Sequence, residues 1–279
     1  MRVSVGDVEL FVHAKGEGRP LVALHGGPGL DGSVWFPGLD PLATEGWRVL
    51  AVDHRANGRS DGGDPAGWTV PQMADDVEQL VQRLGLEQPV VMGWSFGSFV
   101  AQSHMARHGS AAAYVLLGTV ANPDSLQEVS DRLAAFQPEH LRAQVTASWA
   151  REATVQTPED CKRLVADQWP FHVADPEGPL VQWLIDNDRV VYRPEVLRHF
   201  AADGEYGLTD VRDTLGPLTR PVLIVSGAHD RTTPAASAQE LADAIPGCEH
   251  VVLEQSAHML PYEEPATFLG VLRGFLARV

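Results

Sequence analysis

Short apolar runs punctuate this chain from end to end, and between most of them the apolar positions change to helical spacing. Near the start, Val3-Ser4-Val5 and Val8-Glu9-Leu10-Phe11-Val12 alternate, the period-two signature of half-buried strands. Further runs follow at Leu21–Leu24, Arg48–Val52, Val90–Met92, Tyr114–Leu117, Val222–Val225 and His250–Leu253. Several are apolar without alternation, which predicts strands buried on both faces. Between the second and third of these, Val70, Met73, Val77, Leu80, Val81 and Leu84 recur as one face of a helix. Thr69 and Gln72 are spaced as a capping box at its start, and Gly85 stands where a left-handed C-terminal cap belongs. Strand and helix in alternation predict an α/β fold with a mostly parallel central sheet flanked by helices.

The rhythm breaks after Asn122-Pro123. From there to Asp210 no strand run occurs, only helical patterns divided by Pro138, Pro158, Pro170, Pro176, Pro179 and Pro194. Eight aromatic residues fall in this stretch: Phe136, Trp149, Trp169, Phe171, Trp183, Tyr192, Phe200 and Tyr206. It carries 16 Asp and Glu against 8 Lys and Arg, half of the net charge in under a third of the length. The expected organisation is a core of residues 1–121 and 211–279 interrupted by a helical insertion at 122–210.

A chain of 279 residues, 44% hydrophobic, is long enough for one large α/β domain with an insertion. Its net charge of −16 argues against nucleic acid or an anionic membrane surface as a partner, since both attract basic patches. Cys161 and Cys248 are too few for a disulfide framework or a metal set. Strand-like alternation begins at once, without a basic and apolar leader, and no apolar run reaches the length of a membrane span. The expectation is a cytoplasmic protein without cofactor or metal that acts on a small molecule or short peptide.

The chemistry is concentrated at Gly93-Trp94-Ser95-Phe96-Gly97, directly after the Val90–Met92 run and before a helix-capable stretch. It matches G-x-S-x-G, a serine on a strained strand-to-helix turn above a sheet. A serine hydroxyl needs a base, and the base an orienting acid; in enzymes with this turn they follow in the order acid, then histidine. Catalytic groups on open α/β sheets collect at the carboxyl ends of strands. Asp230 lies just past the Val222–Val225 run and His258 just past His250–Leu253, so both are expected on loops at the correct edge, and Ser95 and His258 on loops that reach solvent. His229 precedes the acid, His104 and His108 fall on the helix after the serine, and His250 begins a strand. The expected triad is therefore Ser95, Asp230 and His258.

Negative charge developing on a substrate carbonyl needs preorganised donors. The backbone N–H of Phe96, next after the nucleophile, is one. The other is expected in the glycine-rich loop His25-Gly26-Gly27-Pro28-Gly29, with Gly27 first and Gly26 in reserve. Gly26 and Trp94 are further expected to border the substrate. That loop lacks the glycine spacing or the G-K-[ST] of a nucleotide cradle.

Taken together, the strand rhythm, the serine turn, Asp230, His258 and the His25–Gly29 loop resemble the α/β-hydrolase superfamily over essentially the whole chain. The His25–Gly29 loop is similar to that of its proline iminopeptidase branch, and so is Asp53-His54-Arg55-Ala56-Asn57-Gly58-Arg59-Ser60, close to D-x-R-G-x-G-x-S. That branch usually reads G-G-S-W-G around the serine and has glycine where Ala56 stands. The resemblance implies a serine hydrolase with an acyl-enzyme intermediate and a helical cap over the active site. It also implies cap carboxylates that hold a substrate amine, for which Glu152, Glu159, Asp160, Glu177, Asp186 and Glu205 are candidates. Three readings follow: an aminopeptidase-like hydrolase, a carboxylesterase or lactonase using the same machinery, and a non-catalytic small-molecule receptor.

Overall fold

The computed structural model describes residues 1–202 and 206–279. Eight strands form one sheet: β1 (Arg2–Val5), β2 (Val8–Lys15), β3 (Arg19–Leu24), β4 (Trp47–Val52), β5 (Val90–Trp94), β6 (Ala113–Leu117), β7 (Val222–Gly227) and β8 (Glu249–Leu253). Their spatial order is β1-β2-β4-β3-β5-β6-β7-β8. β2 runs antiparallel to β1 and β4, and every pairing from β4 to β8 is parallel. Each predicted run is a strand, and the sheet is mostly parallel as its double burial requires.

Because successive side chains point to opposite faces, the central strands feed two separate cores. Val22, Leu24, Leu50, Val52, Val91, Leu116 and Ile224 pack on one face. Helices α1 (Val70–Arg83), α2 (Phe96–Arg107) and α10 (Ala235–Ala244) cover it with Met73, Val77, Leu80, Phe99 and Leu241. On the other face Leu21, Ala23, Val49, Ala51, Met92, Val115 and Val225 meet Trp35, Leu39 and Trp47, with Phe268, Leu272 and Phe275 of α12 (Pro265–Leu276). A one-residue slip of any central strand would exchange its contributions to the two cores, so the register is strongly specified.

The start of α1 corrects one detail. The Thr69 hydroxyl accepts the Gln72 N–H at 3.2 Å, but the Gln72 amide donates to Asp76 at 3.2 Å, so half of the capping box forms. The other end is as expected. Gly85 has φ +58°, and the N–H groups of Gly85 and Leu86 bond the carbonyls of Gln82 and Val81 at 3.1 and 3.0 Å, a Schellman closure.

Between β6 and β7 the described elements are all helical: α3 (Asp124–Gln127), α4 (Val129–Ala134), α5 (Glu139–Arg151), α6 (Pro158–His172), α7 (Pro179–Asp186), α8 (Pro194–Ala201) and α9 (Arg212–Leu215), with a 3₁₀ turn at Glu152–Thr154. They have small apolar clusters of their own, around Phe136, Val145 and Phe171 and around Leu164, Tyr192 and Leu197. They are not a detached body. Val196 and Phe200 join one main core, and Val173 and Leu184 the other. A short α11 (Leu260–Glu263) follows β8.

Candidate active site

Ser95 sits between β5 and α2 at φ +54° and ψ −122°, outside the regions that side-chain-bearing residues ordinarily occupy. The two flanking glycines are obligatory for steric reasons. A Cβ on Gly93 would lie 2.2 Å from the Gly97 carbonyl oxygen, and one on Gly97 would lie 2.2 Å from that of Leu24. Strand and helix thus approach too closely for any side chain, and the tight turn lifts Ser95 from the sheet. The Ser95 N–H bonds the Leu117 carbonyl at 2.9 Å, and its own carbonyl accepts from the Ser98 N–H at 2.7 Å and the Ser98 hydroxyl at 2.6 Å.

Asp230 and His258 come together from the ends of β7 and β8, with His258 Nδ1 2.7 Å from Asp230 Oδ2. Asp230 Oδ1 accepts the N–H groups of Thr232 and Thr233, each at 2.8 Å. Burial pushes the Asp230 carboxyl up; the facing His258 and the Thr233 donors outweigh that and hold it below the ordinary carboxylate range. The loops reach solvent at Ala228–His229 and Glu254–Gln255, but the Asp230 and His258 side chains themselves are 5% and 6% exposed. The cap covers them: the His258 N–H bonds the His172 carbonyl at 2.9 Å, and the Thr232 hydroxyl lies 3.0 Å from His172 Nδ1.

Ser95 and His258 border one cavity of about 470 Å³, together with Gly26, Gly27 and Phe96. Among the described residues, neither the Gly27 nor the Phe96 N–H has a hydrogen-bond acceptor, as donors awaiting an oxyanion require. Gly27 has φ +85°. A Cβ on Gly26 would lie 3.2 Å from that of Ser95 and 3.3 Å from the Trp94 carbonyl oxygen, so a side chain there would press on the serine turn. His25 fixes the loop from beneath. Its Nδ1 faces the Gly26 carbonyl at 2.7 Å and must carry a proton, which leaves Nε2 to accept the His54 N–H at 3.3 Å. Burial holds the His25 pKa down, consistent with this neutral tautomer.

The Asp53–Ser60 segment braces the same loop. Asp53 accepts the Gly32 and Arg59 N–H groups at 2.8 and 2.9 Å, and Asn57 accepts that of Gly29 at 2.7 Å. Arg59 reaches Asp31 at 2.7 Å. Among the described residues, only His13, Asp31 and Asp53 are grouped closely enough to share a metal ion, and their carboxylates already accept these donors. Ala56 adopts φ +65°, which explains why a glycine is the easier residue there.

Trp94 borders the cavity, but its indole N–H donates to the His258 carbonyl at 3.0 Å. Its ring packs against Trp35 and Tyr262, so it braces the histidine loop as well as facing the substrate space. Of the cap carboxylates, Glu152 alone among those described lines the cavity. It accepts the Gln168 amide at 2.6 Å and the Tyr206 hydroxyl, and no cation faces it among the described residues. Burial raises its pKa despite those donors. Glu159, Glu177 and Asp186 are exposed, Asp160 caps α6 through Thr157, and Glu205 lies outside the described residues. The competing histidines serve the scaffold: His104 meets Tyr114 and Glu78, His108 meets Asp75, and His250 meets Ser226 and Gln239.

Two cavity residues went unnoticed in the sequence. The Thr233 hydroxyl donates to Asp230 Oδ2 at 2.7 Å and lies 3.1 Å from His258 Nδ1. A hydroxyl three residues after the acid, placed to fold back on it, was the available signal. His172 ends α6 with its ring 5.3 Å from that of His258, and burial pushes its pKa down to about 3. Nothing in its local sequence marks it.

A strained serine at a strand-to-helix turn, a buried histidine–carboxylate pair and free backbone donors on one cavity define an α/β hydrolase in form. The comparisons agree. Residues 19–265 match the model of the alpha/beta hydrolase fold family. The chain is 30% identical over 276 residues to the AB hydrolase superfamily protein YisY of Bacillus subtilis, covering 96% of this chain and 95% of that protein. It is 26% identical to a proline iminopeptidase of Clostridium botulinum, covering 94% and 90%. Among solved structures, a thermophilic esterase from Thermogutta terrifontis superposes with a TM-score of 0.76 at 26% identity, covering 100% of this chain and 98% of that one. The chain belongs to the α/β-hydrolase family and is an enzyme of the hydrolase class.

Proposed function

We propose that this enzyme cleaves small carboxylic esters, and amides by the same route, through an acyl-enzyme on Ser95. One observation carries the reading: Ser95, at its strained turn, shares a cavity with His258, whose far nitrogen is bonded to the buried Asp230. In this reading His258 Nε2 takes the Ser95 proton as Oγ attacks the carbonyl, and Asp230 stabilises the imidazolium. The N–H groups of Gly27 and Phe96 receive the oxyanion, and His258 then delivers the proton to the leaving oxygen or nitrogen. Water repeats the sequence to release the acid. Residues 122–210 act as the cap that keeps bulk water from this step, and their apolar lining favours an apolar acyl group.

Glu152 favours a second, narrower reading. A buried carboxylate facing the cavity without a cation is suited to a substrate ammonium, as in an N-terminal proline or a similar small amine-bearing amide. The similarity to a proline iminopeptidase supports it, and the esterase neighbour supports the broader one. A fluorophosphonate probe should add its mass at Ser95, and absence of labelling would retire both. Turnover of short-chain aryl esters and lactones should then be compared with that of a proline arylamide. Ester cleavage without arylamide cleavage leaves the broad reading and removes the amine-directed one.

A further inference from the structure

Beside the cavity that Ser95 borders lies a second, of about 210 Å³. Val34, Trp169 and Met259 wall both, so the two are neighbouring chambers with a shared partition. Met259 directly follows His258, which in the reading above hands its proton to the departing atom. The second chamber therefore shares a wall with the site at the residue next to the proton donor.

The chamber is lined by rings. Trp183 lies 5.4 Å from Tyr262 between ring centroids, and Phe36 forms another wall. Trp183 is 37% exposed, and among the described residues only Met1 is a comparably exposed large apolar side chain. A lone surface tryptophan is ordinary; one that walls a cavity next to the reactive histidine has a ligand to meet. Charge narrows the choice. Lys15 and Arg189 stand against Asp40 and Asp188 in the lining, and the Lys15 ammonium is already 2.7 Å from Asp40. Asp188 is met by Lys162 at 3.7 Å and Arg189 is exposed, so no buried, unpaired charge in the lining selects an ionic group. Size narrows it further, because an apolar cavity of about 150 Å³ accommodates benzene.

We propose that this chamber is a leaving-group subsite for a neutral, ring-bearing alcohol or amine, with the acyl part of the substrate in the larger cavity under the cap. The proposal rests on the hydrolase reading above. In acylation the Ser95 Oγ bonds the carbonyl carbon, and the bond from that carbon to the leaving oxygen or nitrogen breaks. The serine proton, carried by His258, ends on the leaving atom. The ring, held by Trp183 and Tyr262, thus affects acylation and is gone before deacylation.

Benzyl and methyl esters of one acid test this, since the two alcohols leave with similar intrinsic ease. The wild-type kcat/KM should favour the benzyl ester by about tenfold or more, the scale of one good aromatic contact. Trp183→Ala, which removes a wall, and Asn187→Trp, which fills the chamber from an exposed position, should each bring that ratio towards one. The loss should fall on the acylation rate constant in single-turnover measurements. A wild-type ratio near one, a ratio that neither variant changes, or a loss confined to deacylation would overturn the subsite. Failure of the hydrolase reading is told apart by the fluorophosphonate probe, because a labelled Ser95 with no benzyl preference sinks only the subsite.

Discussion

The Thr233 hydroxyl lies between Asp230 and His258, 2.7 Å from Asp230 Oδ2 and 3.1 Å from His258 Nδ1. Its hydrogen goes to the carboxylate, so its lone pairs face the imidazole and favour a proton on Nδ1. In the mechanism proposed above, that tautomer leaves Nε2 free to act as base towards Ser95. Thr233 is thus a positioning residue. Thr233→Val should lower kcat about tenfold with little change in KM, and Thr233→Ser should recover most of it. Equal losses in both variants, or a loss carried by KM, would count against the role; steady-state kinetics with a short-chain ester decide it.

Gly118, at φ +49° just past β6, makes room for the histidine. A Cβ there would lie 3.0 Å from His258 Cε1 and 3.1 Å from Nδ1. Gly118→Ala should displace the imidazole and reduce kcat/KM by roughly 10²-fold, the scale of an ångström-level misplacement. The His258 ring resonances in NMR should shift while the far-UV spectrum is kept. Full activity in a folded Gly118→Ala protein would refute the close fit.

Arg55 binds Asp76 of α1 through two bonds of 2.8 and 2.7 Å, with both side chains 2% exposed, and also reaches Asp7. It ties the segment after β4 to the helix that covers the sheet. Arg55→Met leaves the Asp76 carboxylate buried without its cation and should cost about 3–5 kcal/mol in urea denaturation. Arg55→Met with Asp76→Leu should recover most of that loss. A double variant no more stable than the single one would show that the cost is packing rather than charge.

Glu152 predicts an opposition between stability and binding. Burial raises its folded pKa above the unfolded value, so its stabilising contribution is complete below the ordinary glutamate range. That contribution is lost as pH rises through the folded value, where the buried site must accept a charge. Glu152→Gln should therefore raise Tm at pH 8 relative to wild type, with a smaller difference at pH 4. If the amine-directed reading holds, the same variant raises KM for the proline arylamide and not for a neutral ester. Thermal melts at the two pH values check the first part, and paired kinetics the second.

The site was only partly legible in the sequence. Order along the chain and position after a strand singled out Ser95, Asp230 and His258, and the fold brings Asp230 to 2.7 Å from His258 with Ser95 on the same cavity. Gly27 and Phe96 followed because an oxyanion site needs backbone N–H groups, which are readable wherever glycine and a helix start adjoin a strand end. Glu152 was one of six cap carboxylates with nothing local to distinguish it. Its role as a cavity group comes from the meeting of the Glu152–Thr154 turn with Gln168 of α6 and Tyr206. The burial of the Asp230 and His258 side chains was not legible either, because His172, far away in sequence, closes over them.

The chain by itself determined the sheet, since half-buried strands leave an alternating record and doubly buried strands an unbroken apolar run. It likewise determined the serine turn, where Gly93 and Gly97 are demanded by backbone contact. Only the tertiary structure decided what the cap contributes: a second histidine beside His258, one buried carboxylate among the five candidates described, and a side chamber behind Met259. The physical reason is one of range. Strand alternation, capping and glycine geometry arise among neighbours in sequence, whereas a cavity wall is made by residues that meet after folding. The Trp94 indole bonded to the carbonyl of His258, 164 positions away, is such a contact, and no local pattern could announce it.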